Sequence, residues 1–440
     1  MKKIILLLLL LLPYAVSAEK SLTTLLDKYM TAQEKVNGFS GTVLVAKKGK
    51  VIYEKAFGLA DKELNVKNSL EGMYQIASLT KQFTACAILQ LAENEKLGLN
   101  DKLDKYFSGF PKGDSITIHM LLNHTAGLKT TGDLDGFIEA LKITKDSMLA
   151  LIKRQPLVFS PGTSWKYSNC GYYLLGMIIE KVTNQSYSDY LLDNVIRKAE
   201  LKNTFVNRWD TILANRVKGY EKTATGWRNN SFYTMENPYS AGAMISTVED
   251  LYKWNYALFS NKIISVASVK KMTTSYLNSY GYGIVIDTFM SHRRIWHNGQ
   301  LRGFTSYLGT FPRDSVSIVV LSNNESNCGN IANCIAAITF GIEIIPPYSH
   351  VESKIDISIL DRYTGIYELG SDDRIEIIKA GTKLYRQKLG SQIELKPESK
   401  TKFFYGDGSD RQIEFKVDKS GKIETAFLIY GGFIKEMKRL

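Results

Sequence analysis

The sequence predicts a mixed α/β (α+β) fold. A sheet is assembled from both ends of a first unit, with a helical insertion between them, and a small C-terminal antiparallel β barrel or sandwich follows. Three observations carry this. Strand-like runs occur at Thr42–Ala46 and Val51–Phe57 and return at Tyr282–Asp287, Thr305–Phe311 and Val316–Leu321. A buried-looking helix and a mostly helical middle lie between the two sets. After Ile345-Pro346-Pro347 the apolar pattern changes to period two, the mark of strands with one buried face. With 440 residues, 44% hydrophobic and 23% charged, the chain has an ordinary globular balance, which excludes disordered, collagen-like and coiled-coil classes.

Residues 1–18 read as an export signal rather than as fold. Lys2 and Lys3 supply a positive start, Ile4–Leu12 an apolar run, and Val16-Ser17-Ala18 small or modest residues for cleavage. The run is shorter than the roughly 20 residues needed to span a bilayer. The expected location is therefore secreted or periplasmic, with no stable membrane anchor after signal removal. The expected division is 19–345 for the first unit, 346–354 for a linker and 355–440 for the β-rich tail.

Within the first unit, residues 21–36 read as a helix. Lys47-Lys48-Gly49-Lys50 joins the first two strands as a hairpin with glycine in its turn. Ser78 to Lys96 reads as a buried helix stopped by Gly98, because Phe83, Ala85, Ala87, Ile88, Leu89 and Leu91 make its middle apolar nearly all round. A last helix is expected over Gly329–Ile342. In the tail, Ile355–Ile359 and Gln412–Asp418 alternate as strands, the second turning at Lys419-Ser420-Gly421-Lys422.

The net charge is +12, yet no dense basic block stands out, so the reading is a mildly cationic surface and no nucleic-acid partner. Of the four cysteines, Cys86 reads as a buried free thiol, while Cys328 and Cys334, six apart around Gly329, could close a small loop after export. With no paired C-x-x-C and scattered histidines, neither a metal nor a cofactor is expected.

The chemistry-bearing pattern begins at Ser78-Leu79-Thr80-Lys81. On a helix, positions i and i+3 share a face. A serine hydroxyl needs a neighbour to take its proton, and a lysine can do so if burial lowers its pKa. Four S-x-x-K matches exist, at Ser17, Ser78, Ser268 and Ser399, and only Ser78 opens a long buried helix. Tyr167-Ser168-Asn169 follows the turn Ser160-Pro161-Gly162-Thr163; a phenol can relay a proton and an amide can hold a substrate amide. A second Y-x-N at Tyr276 shows that this triplet alone is cheap. His297-Asn298-Gly299-Gln300 lies beside a strand, where glycine lets a substrate backbone approach closely. The plainer alternatives are a core tyrosine at 167 and a surface histidine at 297.

Ser78-x-x-Lys81, Tyr167-x-Asn169 and His297-x-Gly299, in this order, resemble the serine β-lactamase and penicillin-binding-protein superfamily, closest to its class C and low-molecular-weight peptidase or esterase branch. Leu121–Leu128 and Ser240–Thr247 resemble flanking segments of that family. The resemblance covers roughly residues 21–343, and the tail resembles the lipocalin-like β domain that some members carry. It implies an antiparallel sheet flanked by helices. It also implies catalytic roles for Ser78, Lys81 and Tyr167, substrate binding by Asn169, His297, Gly299 and Gln300, and an oxyanion hole from the backbone N–H groups of Ser78 and Gln300. Whether Lys81 or Tyr167 is the base stays open.

The implied function is an exported serine hydrolase. It would act through an acyl-enzyme on peptide (D-amino-acid or peptidoglycan-like), amide or ester substrates of the cell envelope, with weak β-lactam hydrolysis compatible. The alternatives are a penicillin-recognising sensor that acylates without efficient turnover, and a tail that binds a lipid or glycan. One departure matters: many relatives have K-T-G where this chain has His297-Asn298-Gly299. A histidine is mostly neutral at pH 7, which disfavours recognition of a free carboxylate, although Arg302 could restore a charge. Asn123-His124-Thr125 reads as a structural turn, and Ser240–Thr247 as wall and loop.

Overall fold

A computed structural model describes residues 22–370, 373–388 and 390–440; the proposed signal, 1–18, lies outside them. Two compact units emerge. One is Phe39–Ala332, and the other joins the helix at residues 22–37 to Asn333–Leu440.

The larger unit is built on a six-stranded antiparallel sheet. Its strands are β1 (Gly41–Lys47), β2 (Lys50–Phe57), β3 (Val285–Phe289), β4 (His292–Leu301), β5 (Phe304–Phe311) and β6 (Val316–Ser322), in the order β3-β4-β5-β6-β1-β2. The β1–β6 pairing zips the ends of the unit together, with Gly41 opposite Ser322 and Lys47 opposite Val316. The β1–β2 turn is the expected one: Lys48 and Gly49 both take positive φ, 52° and 75°, as a two-residue hairpin of matching twist requires. The strand expected from Tyr282 starts instead at Val285, because Tyr280 and Tyr282 are buried and hydrogen-bonded to His297 and His119.

The expected buried helix is α1 (Thr80–Glu93), in which every residue from Thr80 to Leu91 is buried. Its Phe83 stacks on Trp254 of α2 (Val248–Phe259) at 3.9 Å between centroids. Its buried donors are engaged: Thr84 donates to Ser240 O, and Gln90 Nε2 to the Asn194 and Ile263 carbonyls. The helix ends before Gly98, since Glu95 itself adopts the left-handed conformation (φ 54°).

Ser78 occupies a 3₁₀ turn, Ala77–Leu79, leading into α1, and Ala77 is held at φ 49°. A non-glycine residue there persists only if its surroundings hold it. Ile76 N–H donates to Met244 O at 3.0 Å, and Ser306 Oγ donates to Ile76 O at 2.8 Å. Strand β4 passes so close that a Cβ on Gly299 would lie 2.3 Å from Ile76 O and 2.9 Å from the Ala77 Cβ. The expectation placed substrate backbone against Gly299; the chain's own turn fills that space.

In the smaller unit, eight antiparallel strands from Gly365–Glu368 to Phe433–Arg439 form a closed barrel, the first pairing with the last (Tyr367 opposite Arg439). Closure removes the free sheet edges that a sandwich would leave. Ile355–Ile359 is not a strand. Asp356 caps a 3₁₀ segment, Ile357–Tyr363, by accepting from Ser358 N–H at 2.9 Å, and Leu360 and Tyr363 enter the barrel core at helical spacing.

All four cysteines are free and buried. Cys328 and Cys334 do not close a loop, because both lie on the helix Cys328–Thr339. Six helical residues rise about 9 Å, beyond the roughly 7 Å reach of a disulfide between Cα atoms. Among the described residues no helix is long and apolar enough to cross a membrane.

The packing at Gly299 makes a prediction. Gly299→Ala forces β4 off the Ala77 turn and should destabilise the fold by about 1–3 kcal/mol, the usual range for overpacking. Thermal unfolding reads this as a drop of several degrees; an unchanged Tm would mean the turn is not wedged against the strand.

Candidate active site

Four segments converge on Lys81: α1, the start of α3 (Asn169–Thr183), the short helix Tyr239–Gly242, and β4. Ser168 fixes the start of α3, its Oγ accepting from Gly171 N–H and donating to Lys129 O. Asn169 is therefore presented at the helix entrance, its own N–H bonded to Thr130 Oγ1.

Lys81 is wholly buried. Its Nζ stands 3.1 Å from Ser78 Oγ, 2.8 Å from Asn169 Oδ1 and 2.8 Å from Ala241 O. The rings of Tyr167 and Tyr172 lie 4.8 Å and 5.5 Å away. Among the described residues no carboxylate pairs with it, and burial pushes its pKa well below the ordinary lysine value. A neutral amine has two N–H bonds and one lone pair. It can donate to Asn169 and Ala241 while its lone pair receives the Ser78 O–H. The i, i+3 spacing read from the sequence thus produces the contact it implied.

Tyr167 brings a buried hydroxyl that makes no hydrogen bond of normal geometry. Burial raises its pKa above the ordinary phenol value, and the neighbouring Ser78 offsets part of that rise. His297 is only 3% exposed, so it is not a surface histidine. Its Nδ1 lies 2.5 Å from Asn298 O and must carry the proton, which leaves Nε2 to accept from the Tyr280 hydroxyl at 2.9 Å. Burial first, then the nearby Lys81, pulls its pKa down to about 3.

His124 is likewise buried, with its ring 4.4 Å from Tyr167 and 4.6 Å from Tyr280. Its Nδ1 accepts from Ser168 N–H (3.2 Å) and its carbonyl from Lys166 N–H (3.1 Å), so it brackets Tyr167 in the chain on both sides. The turn read at Asn123-His124-Thr125 is thus also what positions the tyrosine. Motif reading did not single out Tyr280, Trp165 or the Ala241 carbonyl. A backbone carbonyl has no signature in sequence, and two more tyrosines in a tyrosine-rich chain carry none either.

Strand β3 pairs with β4 only as far as Val285 opposite Trp296. From His297 to Leu301 the edge of β4 on that side has no strand partner among the described residues. Two cavities meet there, of about 670 Å³ and 470 Å³, and Ser78, Asn169 and Gln300 line both. The smaller runs along Trp165, Tyr167, Tyr280 and His297. The larger has Phe137 and Tyr233 in its wall, together with Arg302, Glu139 and Glu325. Arg302 is no free cation: it donates to the Glu139 carboxylate at 2.8 Å. Asn169 Oδ1 is occupied by Lys81, which leaves its Nδ2 to donate into the cavities. Among the described residues no group of three or more His, Cys, Asp or Glu is placed to hold a metal ion.

Residues 24–333 match the family described as Beta-lactamase. The chain is 30% identical over 407 residues to Penicillin-binding protein 4* of Bacillus subtilis, covering 83% of this chain and 88% of that one. An octameric penicillin-binding protein homologue from Pyrococcus abyssi is similar in structure, with TM-score 0.67, 26% identity, and coverage of 94% of this chain and 99% of that one. A D-amino acid amidase from Ochrobactrum anthropi shares the fold at TM-score 0.65 and 23% identity, over 73% of this chain and 98% of its own. The family match spans the sheet, the Ser78 turn and each side chain gathered around Lys81; the chain belongs to the β-lactamase family and is a serine hydrolase.

Proposed function

We propose that this is an exported serine hydrolase that forms an acyl-enzyme on Ser78 and cleaves amide or peptide bonds, with activated esters also accepted. The observation that carries the reading is the Lys81 amine, buried without a counter-ion 3.1 Å from Ser78 Oγ. The lone pair of Lys81 takes the Ser78 proton as Oγ attacks the carbonyl. The oxyanion would sit on the backbone N–H groups of Ser78 and Gln300, donors worth about 3–4 kcal/mol each when preorganised. Tyr167, kept protonated by burial, gives its proton to the leaving nitrogen. The phenolate so formed stands beside the new Lys81 ammonium. It then takes a proton from water, which attacks the acyl group, and Lys81 returns a proton to the departing Ser78 oxygen. Lys81 thus serves as base for acylation and Tyr167 as base for release.

Charge supports a substrate class. His297 is neutral, Arg302 is paired, and the larger cavity holds two carboxylates against one guanidinium. A free substrate carboxylate finds no partner there, whereas an amide or a protonated amine does. D-amino-acid amides and peptides with a free amino group fit, in keeping with the shared amidase fold. The named penicillin-binding relative supports β-lactams as acylating agents. The first 18 residues support export into the cell envelope.

Three measurements test this. Intact mass after incubation with a fluorescent penicillin and activated esters should show one adduct on the wild type and none on Ser78→Ala. An adduct on the alanine variant removes Ser78 from the mechanism, and one that persists for hours on the wild type selects the sensor alternative. The same spectrum reads whether the exported chain begins after Ala18.

Lys81→Met should cut acylation by about 10²–10⁴-fold, the range for losing a general base, and yet raise Tm. The sign follows from linkage. Between the lowered folded pKa and the ordinary lysine value the unfolded chain binds the extra proton, so burial of Lys81 destabilises the fold at neutral pH, and stability rises with pH through that window. For the same reason kcat/KM of the wild type should fall on the acid side, as Lys81 becomes protonated. A lower Tm for Lys81→Met would show the amine to be net stabilising.

In a substrate panel, kcat/KM for D-phenylalaninamide with its amine free should exceed that for an N-acylated dipeptide ending in a carboxylate. The reverse order would overturn the charge argument.

A further inference from the structure

Three charged side chains line the larger of the two cavities that meet at Ser78: Glu139, Arg302 and Glu325. Glu139 and Arg302 pair with each other. Among the described residues no cation pairs with Glu325, so this cavity keeps one uncompensated negative charge. The smaller cavity offers none: no Asp, Glu, Lys or Arg among the described residues lines it.

Glu325 is exposed, and so open to an incoming ligand, yet it is held in place. Its Oε1 accepts from Gly303 N–H at 3.1 Å, which leaves Oε2 for a ligand. Its backbone takes φ 60°, a conformation that a non-glycine residue keeps only where its surroundings impose it. The preceding Asn324 supplies part of that, its Oδ1 accepting from the Ser322 and Ser326 hydroxyls, each at 2.7 Å. Arg302 and Gly303 form the turn between β4 and β5, since Leu301 pairs with Phe304. The carboxylate tied to Gly303 therefore stands along β4 beyond Gln300, not over the reacting bond. Phe137 and Leu301, both half-buried, give the same cavity apolar walls.

We propose that Glu325 determines specificity for a basic acyl side chain: a stem of lysine length lies against Phe137 and Leu301, and its terminal ammonium meets the Glu325 carboxylate. This rests on the acyl-enzyme reading above and adds the substrate's side chain to it. In that reading Tyr167 serves the leaving nitrogen, and Tyr167 lines the smaller cavity and not the larger. The acyl half therefore occupies the larger one. An α-ammonium sits on the carbon next to the reacting carbonyl and stays beside Gln300. An amine at the far end of a flexible stem extends to the turn. Lysine-type side chains lay their methylene groups on apolar surface and keep the charged end in water, which suits half-buried walls that end at an exposed carboxylate.

The probes are lysinamide and norleucinamide, each as D and L enantiomer; they share the α-amine and the stem and differ in the terminal amine. For the full-length protein kcat/KM should favour lysinamide by about fivefold, the worth of a partly exposed ion pair. That preference should shrink as ionic strength rises, which a purely structural role would not produce. Glu325→Gln keeps the side-chain shape and an acceptor for Gly303 and should bring the ratio of the two values to about one; Glu325→Lys should invert it. A wild-type ratio of one or below, or the same ratio in Glu325→Gln, overturns the proposal. Calorimetric titration of both amides into Ser78→Ala protein reads the preference without turnover. Lysinamide binding no tighter than norleucinamide, or no binding of either, overturns it there too. Should the Glu325 variants not fold, this titration at low and high salt decides. The two readings fail separately: absence of an adduct on Ser78 overturns the acyl-enzyme, whereas absence of the lysinamide preference overturns only the role of Glu325.

Discussion

An amine held in a protein interior without a counter-ion is the constraint on which the rest of the site depends. Lys81 touches three oxygens, each from a different segment: Ser78 one turn away, Asn169 at the head of α3, and the Ala241 carbonyl. Burying an ammonium in such a place without an anion is costly, so the group gives up its proton instead. The same desolvation acts on its neighbours. His124 and His297 are driven towards their neutral forms and Tyr167 is kept as a phenol. One physical cause therefore sets all four titratable groups to zero charge before substrate arrives. The first charge to form would appear on Lys81, where two carbonyl dipoles and two aromatic faces already point at it. Such preorganised dipoles do not have to reorient during the reaction.

That arrangement needs a rigid frame, and the frame is mostly backbone. The Ser78 turn is strained at Ala77, braced by the Ser306 and Met244 bonds to Ile76, and pressed against β4 at Gly299. Because β4 belongs to a six-stranded sheet whose two sets of strands are joined by the β1–β6 pairing, the turn leans on that sheet. His124 holds the other side of the site by gripping the backbone on both flanks of Tyr167. Serine and tyrosine are thus both held beside Lys81 by backbone hydrogen bonds to the segments that carry them.

What the sequence disclosed follows from this. Ser78 and Lys81 were legible because an i, i+3 pair on an apolar helix has one geometry, and the helix was evident from its composition. The sheet from both ends of the unit was legible through strand runs and a glycine hairpin. Three of the corrected readings have distinct physical reasons. Ile355–Ile359 alternates like a strand, but Asp356 offers its carboxylate to the Ser358 N–H and starts a 3₁₀ turn, a local competition that apolar periodicity does not register. Cys328 and Cys334 looked close along the chain but are spread along a helix. Gly299 was read as room for substrate, whereas the approaching backbone comes from more than two hundred residues earlier, a distance no local pattern encodes.

The exchange of a lysine for His297 is better understood as a subtraction than as a new function. In its surroundings the imidazole uses both nitrogens internally, one on Asn298 O and one on the Tyr280 hydroxyl, so it has neither charge nor a spare donor for substrate. Arg302, the nearest replacement along the strand, is committed to Glu139. A substrate carboxylate entering here would lose its hydration and meet dipoles, two carboxylates and a guanidinium already shared with Glu139, so desolvation would outweigh what it gained. On the proposed reading an uncharged amide would lose far less, and a protonated amine would gain from the Glu325 carboxylate in the same cavity. Under the proposed function, selectivity against acids would need no repulsive element of its own; it would follow from the pairing of Arg302 beside Ser78.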